Sequence, residues 1–407
     1  MAHQNELIPH LFRTEFGKIT AVLCRSFGFH SMELAEDIAG ETFLLACETW
    51  PYKGVPPNPT AWLYTVAKNK AINTLQREKT FNRKIIPQLS AAEMIETIDL
   101  SEKNISDSVL KMMFAACQDI ISPESQITLA LRILCGFGIN EIADAFHTQP
   151  ATIHKRLLRA KNKLKTEQVR WVMPGEPDIK NRLQNVLTTL YLLFSEGYYS
   201  AGRQQIVRKE LCDEAIRLTT LLTENNSTAD PGVFALLALM YFQSSRLEAR
   251  ISAAGELILL DDQDRALWDV TRIASGAYWL HRASVGTVIS QYHLEAAIAY
   301  QHTLSNDHGD KWKTLLHLYD QLIQLNPSPQ ALLSRIFVIS KSDGKQRAIA
   351  ELEKLKVEKD HFYYALLGEL YAGTDPHLAK ESWIQAMEFS DSPSEKQLLL
   401  KKISLLE

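Results

Sequence analysis

Residues 138–165 constrain the fold of this chain more than any other segment, because their pattern predicts two helices joined by a short turn. Apolar residues recur at helical spacing in both halves, which predicts one buried stripe on each helix. Pro150 suits the first position of the second helix, and Glu141 stands where a capping-box carboxylate would lie. We therefore predict a helix-turn-helix. Its two stripes are Ile139, Ile142, Ala143 and Phe146, and Ile153, Leu157, Ala160 and Leu164.

The second of these helices is basic, with no Asp or Glu from Pro150 to Lys165. A cationic helix face suits the phosphates of DNA, and Arg and Lys in its N-terminal half can donate to guanine acceptors in the major groove. A solvated amphipathic helix is the alternative interpretation of such a charge run. We predict that the helix binds DNA through Gln149, Thr152, His154, Lys155, Arg156, Arg159 and Lys163.

The length and the charge limit the remaining possibilities. A chain of 407 residues predicts two or three domains. Because the net charge is -4, any nucleic-acid surface must be local. The five cysteines lack metal-binding spacing, so we predict no zinc site and buried thiols in a reducing compartment. The first residues do not resemble a signal peptide, and no apolar run approaches the ~20 residues that span a bilayer. We expect a cytoplasmic protein without a membrane partner.

The N-terminal part, residues 5–85, is predicted to be helical. An acidic helix over 32–50 precedes a proline-rich loop at 51–59, and a third helix begins near Thr60. From Lys68 to Lys84, six basic residues accompany one acid. Aromatic and amide side chains among these cations suit unpaired bases, which need stacking surfaces and hydrogen bonds to their edges. The residues concerned are Trp62, Tyr64, Asn69 and Asn73.

The chain beyond residue 174 changes character. It is rich in Leu, Ala and Tyr at helical spacing and has no basic cluster. Ser328, Asp360 and Ser392 lie 32 residues apart, and each precedes an aliphatic helix pattern. This period is close to the 34 residues of tetratricopeptide (TPR) repeats, whose stacked helix pairs form a concave surface for a protein or peptide ligand. An unrelated helical bundle is the alternative.

Motifs for catalysis and cofactor binding are missing from the sequence. No phosphate-binding loop, nucleophile elbow or dinucleotide fingerprint occurs, so we expect no enzyme activity from the chain itself and no cofactor. The histidines of the C-terminal half form no HExxH pair, and we expect surface or helix-cap positions for them instead of metal ligation. They are His281, His293, His302, His308 and His317.

The order of these features resembles a bacterial RNA polymerase sigma factor of the extracytoplasmic-function (ECF) type. Within that group it resembles the branch with a helical, TPR-containing C-terminal extension. The resemblance rests on the order of several short motifs across the chain. They are Trp50-Pro-x-x-Gly-Val-Pro56, Asn58-Pro-x-Ala-Trp-Leu63, Arg156-Leu-Leu-Arg-Ala-Lys161 and Leu190-Tyr-Leu-Leu-Phe-Ser-Glu-Gly-Tyr198.

The resemblance implies an all-α protein that binds core RNA polymerase and promoter DNA and starts transcription, regulated by its extension. The implied domains are sigma region 2 (1–85), an acidic linker (86–107), the sigma region 4 helix-turn-helix (108–170), a helical extension (174–305) and TPR-like repeats (306–407).

The resemblance also assigns residues to each partner. The helix-turn-helix would recognise the minus-35 element, although its Gln149-Pro150 pair departs from many relatives, so the promoter sequence does not carry over. The implied minus-10 residues are Trp62, Lys68, Asn69, Asn73 and Arg77, and the implied polymerase-binding residues are Glu36, Asp37, Glu41, Phe43 and Leu44.

Two other functions remain open from sequence. One is a helix-turn-helix transcriptional regulator with a TPR sensor, which would leave the acidic helix and the proline loop unexplained. The other is a TPR interaction scaffold whose basic helices have no role of their own. Co-purification with core RNA polymerase separates the three, because only the sigma factor requires it.

Overall fold

The computed structural model describes residues 2–28, 31–81, 98–146, 148–169, 172–199, 205–252, 258–304, 310–390 and 393–406. Within these ranges the protein is all-α, as predicted, with eighteen α-helices and no strand. The chain divides into two compact units, Met1–Leu193 with Glu224–Thr228, and Phe194–Thr223 with Ala229–Glu407. None of the helices in the described ranges is both long enough and apolar enough to cross a membrane.

The first unit contains the helices that carry the predicted binding surfaces. Proline stands at the start of several of them, where its missing N–H has no intrahelical partner. Asn58 Oδ1 accepts a hydrogen bond from Ala61 N at 3.0 Å, and Glu141 Oε2 accepts one from Gly138 N at 2.7 Å, as the capping-box position predicts. The helices are α1 (Ala2–Phe27), α2 (Met32–Lys53), α3 (Pro59–Phe81), α4 (Glu102–Ala116), α5 (Pro123–Ile133), α6 (Ile139–Ala145), α7 (Pro150–Thr166) and α8 (Glu176–Tyr199).

Helix α4 begins inside the predicted linker. Ser101 is its N-cap residue, and Asp99 Oδ1 accepts a hydrogen bond from Ser101 N at 2.9 Å just before it. Ile105 and Val109 are buried, so α4 is a packed helix that contacts α1. The ordered helix therefore takes over residues 102–107 of the predicted linker, while residues 86–97 lie outside the described part of the chain.

Helix α8 crosses the boundary between the two units. We predicted the extension to begin at residue 174, but the first compact unit continues to Leu193. The first half of α8 buries Leu183 and Val186, and Thr189 Oγ1 donates a hydrogen bond to Gln126 Oε1 at 2.9 Å. These contacts make the start of α8 part of the first unit.

The second unit is built around α10, which is apolar on every side and almost wholly buried. Helices α11 and α12 pack against it. Gly276 of α11 permits a close approach, since a Cβ there would lie 2.7 Å from the ring of Phe242. The helices are α9 (Gln205–Glu224), α10 (Pro231–Ser244), α11 (Val270–Ala283), α12 (Gln291–Thr303), α13 (Asp310–Leu325), α14 (Pro329–Ser342), α15 (Lys345–Lys354), α16 (His361–Tyr371), α17 (Pro376–Phe389) and α18 (Pro393–Ser404).

The positions predicted to begin repeats mark helix starts. Ser328 and Asp360 are the N-cap residues of α14 and α16, and each side chain accepts a hydrogen bond from the backbone three residues later. Ser392 lies outside the described residues, and α18 begins at Pro393. Helices α14 and α15 pack together, as do α16 and α17, so the region consists of successive helix pairs.

The histidines occupy different environments. His281 and His317 are exposed, whereas His293 Nδ1 lies 3.1 Å from Ser290 N at the start of α12, in a capping role. His302 differs from the surface or cap position we expected. Burial lowers its pKa to about 4, and the nearby Arg246 contributes, so the ring is neutral at pH 7. His308 lies outside the described residues.

Candidate nucleic-acid interface

Helix α7 presents two opposite faces. Its four predicted stripe residues are buried and pack against α5 and α6. The opposite face is exposed to solvent and carries only polar or cationic candidates. Six of the seven predicted DNA-binding residues lie there, namely Gln149, Thr152, His154, Lys155, Arg159 and Lys163. The exposed face matches a surface for phosphates and base edges.

Arg156 differs from the other six candidates. It is half-buried, and its Nη1 donates to Thr128 Oγ1 of α5 at 3.4 Å. Its guanidinium carbon also lies 5.8 Å from the centre of the Phe146 ring, within cation–π range. The side chain therefore links α7 to the rest of its own domain instead of extending from the exposed face.

Helix α3 carries a second exposed polar stripe. Asn69, Asn73 and Arg77 are exposed and four residues apart, so they share one face of the helix. Lys68 is half-buried. Trp62 is also half-buried, with its ring centre 5.4 Å from that of Trp50 in an edge-to-face arrangement. The outermost of the predicted minus-10 candidates are thus two amides and an arginine.

Tyr64 has an internal role in this structure. Its hydroxyl donates to Glu15 Oε2 at 2.5 Å, and Lys18 Nζ lies 3.0 Å from the other oxygen of the same carboxylate. Burial and this hydrogen bond raise the pKa of Tyr64. Sequence reasoning missed Glu15, whose only signal was an acid beside the apolar residues of α1.

The five predicted polymerase-binding residues on α2 are divided between exposed and buried positions. Asp37, Glu41 and Leu44 are exposed, and Glu41 Oε2 lies 2.7 Å from Lys70 Nζ. Phe43 is 3% exposed and packs edge-on against Phe12, so it supports this surface from the core. The side chain of Glu36 is 10% exposed and lies 2.5 Å from Lys161 Nζ of α7.

The helical period explains this division. Ala35, Ile38, Ala39, Thr42 and Ala46 are buried, so α2 turns the positions between them to solvent. Glu48 lies eleven residues after Asp37 and is also exposed, which extends the acidic surface by about one turn. Sequence reasoning missed Glu48, although helical spacing alone could have indicated it. We call the exposed side chains of Asp37, Glu41, Leu44 and Glu48 the acidic surface.

Comparisons with known proteins match two segments of the chain to families. Residues 11–81 match Sigma-70 region 2, and residues 182–284 match a family of unknown function (DUF6596). An uncharacterised protein of Rhizobium meliloti is 32% identical over 354 residues, which cover 84% of this chain and 82% of that protein. No solved structure matches. The region 2 match spans most of α1 and all of α2 and α3, and therefore includes both the acidic surface and the Asn69, Asn73 and Arg77 stripe.

Proposed function

Because the chain belongs to the same family as the Rhizobium meliloti protein and carries a Sigma-70 region 2, we propose that it is an ECF-type specificity subunit of RNA polymerase. The region 2 match supports a sigma-factor-like role in transcription initiation. Sigma-70 proteins are non-enzymatic initiation factors, and region 2 implies binding to core RNA polymerase and promoter DNA. In the proposal, region 2 captures the minus-10 element, the helix-turn-helix recognises the minus-35 element, and the extension regulates both.

The observation that carries the proposal is the arrangement of charge within the region 2 match. The acidic surface lies on α2, and the exposed Asn69, Asn73 and Arg77 lie on the next helix, α3. Exposed carboxylates steer association with a basic partner surface. Amide and guanidinium groups can hydrogen-bond the edges of unpaired bases, which offsets an unstacking cost of a few kcal/mol per base. Helix α2 thus suits a protein partner, and the next helix, α3, suits a melted DNA strand.

Two linked DNA-binding modules also solve a problem of selectivity. One good base contact discriminates by only about 1–3 kcal/mol, so a single helix in the major groove selects weakly among genomic sites. Tethering a second module makes its binding effectively intramolecular and raises the overall affinity without new contacts. The proposal therefore assigns the minus-35 element to the exposed face of α7 and the minus-10 element to α3.

Support for an interaction role of the extension comes from α16 and α17. Residues 364–371 follow the W-x2-L-G-x2-Y pattern of TPR repeats, with Tyr364 in the first position. The glycine of the pattern, Gly368, packs against Trp383 of α17. Stacked helix pairs of this kind form extended concave surfaces. The proposal is that these repeats bind a protein or peptide whose presence changes sigma activity.

The test is reconstitution with bacterial core RNA polymerase. The purified chain is mixed with core enzyme and fragmented genomic DNA, the retained fragments are sequenced, and run-off transcription is measured on the enriched ones. We expect co-elution with core enzyme and transcription that depends on both components. Selective duplex binding without core enzyme would favour the helix-turn-helix regulator, and binding to neither would favour the scaffold.

We expect Arg156 and Arg159 to separate stability from DNA affinity. Arg159→Ala removes an exposed cation and should weaken promoter binding by about 1–3 kcal/mol without changing the unfolding temperature. Arg156→Ala removes the contacts with Thr128 and Phe146 and should destabilise the first unit by about 1 kcal/mol. Thermal unfolding and DNA titration in complex with core enzyme measure the two effects. Loss of promoter affinity in Arg156→Ala alone, at unchanged stability, would contradict this assignment.

A further inference from the structure

The connection between α10 and α11 folds back on itself within the second unit. Its described residues include three short 3₁₀ helices, Leu247–Arg250, Leu260–Asp262 and Arg265–Leu267. The backbone N–H of Asp269 donates to the carbonyl oxygen of Ser245 at 2.8 Å. Because Arg246 follows Ser245 and Trp268 precedes Asp269, this hydrogen bond brings the side chains of Arg246 and Trp268 together.

Two arginines contact the indole ring of Trp268. The guanidinium carbon of Arg265 lies 5.0 Å from the ring centre and that of Arg246 lies 5.8 Å from it, both within cation–π range. Arg246 Nη2 donates to the Tyr198 hydroxyl at 3.0 Å, and Arg265 Nη1 donates to the Leu304 carbonyl at 2.9 Å. Neither acceptor is a carboxylate, and neither arginine forms a salt bridge within the part of the chain that the structure describes.

Arg272, at the start of α11, shows the usual arrangement for comparison. Its Nη2 lies 2.7 Å from Asp213 Oδ1, and its Nε lies 3.5 Å from Asp269 Oδ2. Two carboxylates therefore compensate this guanidinium, whereas the two arginines beside Trp268 have no such partner among the described residues. A guanidinium held over an aromatic ring keeps its in-plane N–H groups available for an acceptor.

His302 reports a positive potential at the same place. Burial is the main cause of its lowered pKa, and Arg246, Lys311 and Arg265 lower it further. Asp261 acts in the opposite direction, but its carboxylate also lies 3.4 Å from a lysine amine. Like charges that share a partly buried region repel one another, and a bound anion would remove this repulsion.

The indole N–H of Trp268 adds a second, independent sign of a ligand. The residue is 6% exposed, and its Nε1 is buried without a hydrogen-bond partner among the described residues. A buried donor of this kind costs stability until it meets an acceptor. An indole N–H and a guanidinium can only donate hydrogen bonds. A ligand that satisfies these groups must therefore carry acceptors and negative charge.

We infer that Arg246, Arg265 and Trp268 form a binding site for a phosphate group, carried by inorganic phosphate or by a small phosphate ester. A phosphate monoester carries about -1.5 to -2 charges at pH 7 and three acceptor oxygens, which suit two guanidinium groups and one N–H. A carboxylate offers one charge and two oxygens. We call these three side chains the arginine–tryptophan site.

The inference goes beyond the proposed function and does not depend on it. The arginine–tryptophan site lies entirely within the second unit, and within the segment 182–284 that matches the family of unknown function. Its test therefore needs neither RNA polymerase nor DNA.

The test is isothermal titration calorimetry of the full chain with inorganic phosphate, at an ionic strength held constant with sodium chloride. Phosphate is also attracted to the basic helices of the first unit, so variants must locate the binding. Trp268→Phe removes the indole N–H but keeps an aromatic ring, and Arg265→Gln removes an exposed cation. Each should weaken phosphate binding by roughly 10-fold or more, because each removes a hydrogen bond to a charged group.

Trp279 and Arg282 provide matched controls in the same unit. The guanidinium carbon of Arg282 lies 5.3 Å from the centre of the Trp279 ring, which reproduces the contact of one arginine with an indole. Trp279→Phe and Arg282→Gln should leave the phosphate affinity unchanged. Circular dichroism should show that all four variants remain folded. In calorimetric unfolding of the full chain, phosphate should raise the unfolding temperature of the second unit.

The outcomes decide both the site and its ligand. Equal weakening in the site and control variants, or no weakening in either site variant, shows unspecific attraction and overturns the site. Weakening in Arg265→Gln alone overturns the role of Trp268. Glycerol 3-phosphate in the same titration distinguishes the two sources, because the tighter of it and inorganic phosphate identifies which form the site accepts. Citrate that binds more tightly than both would overturn the assignment to phosphate.

Discussion

Binding of core RNA polymerase is expected to be lost in the double variant Asp37→Lys/Glu41→Lys. Both side chains are exposed on α2, and reversing them places like charges against the basic partner that the acidic surface is proposed to meet. Such juxtaposition costs several kcal/mol, so the dissociation constant should rise by roughly 100-fold or more. Pull-down and gel filtration with purified core enzyme, at low and moderate salt, measure the effect.

The fold should tolerate this double variant. Glu41 makes a salt bridge with Lys70, but the two side chains are 61% and 30% exposed, and exposed pairs of this kind add little to stability. The matched control is Glu358→Lys/Glu381→Lys, which changes the net charge equally at exposed positions of the second unit. The control should bind core enzyme normally. If the α2 variant also binds normally with unchanged helical content, the docking surface lies elsewhere.

Helical periodicity predicted the buried faces better than the exposed ones. Apolar residues at 153, 157, 160 and 164 must all be buried to remove one stripe from water, and they are. Arg156 borders that stripe, and a long side chain there can fold back over an adjacent helix as easily as extend outward. Which of these two orientations Arg156 adopts depends on the positions of Thr128 and Phe146, which other helices set.

Contacts between distant segments could not be predicted from local patterns. Glu36 and Lys161 are each unremarkable members of a charged helix, and their pairing depends on how α2 and α7 pack. The division at Leu193 was missed for a different reason. Helix α8 continues across it to Tyr199, even through Gly197, so no end of a helix marks the change from one unit to the next. The starts of α14 and α16 were predictable because the N-cap residues Ser328 and Asp360 mark them locally.

The placement of α8 changes how the extension should be studied. A truncation after Met173 would remove the contacts of Thr189 and Val186 from the first unit, so a change in transcription would not report on the extension alone. A substitution confined to the helix pair α16 and α17 avoids this problem. Gly368 is suitable because it lies at the contact between α16 and α17, within the second unit.

We expect Gly368→Ala to destabilise the second unit by about 1–3 kcal/mol, the usual cost of overpacking a core. The added Cβ would lie 2.4 Å from Cδ1 and Nε1 of Trp383, a side chain that is only 3% exposed and has little room to move. At about 2–4 °C per kcal/mol for a unit of this size, the unfolding transition of that unit should fall by several degrees. Differential scanning calorimetry of the full chain measures it.

Gly40→Ala is the matched control, because Gly40 is also inside a helix and a Cβ there meets no atom within 4 Å. Alanine restricts the unfolded chain, so this change should stabilise the first unit by about 0.5–1 kcal/mol. Opposite shifts in the unfolding temperatures of the two units would show that packing, and not the replacement of glycine as such, sets the sign of the change in stability. An unchanged or raised unfolding temperature of the second unit in Gly368→Ala would mean that Trp383 can move aside.

If the proposed repeats regulate transcription, the transcription activity of the Gly368→Ala protein should change several-fold at temperatures where only the second unit has unfolded.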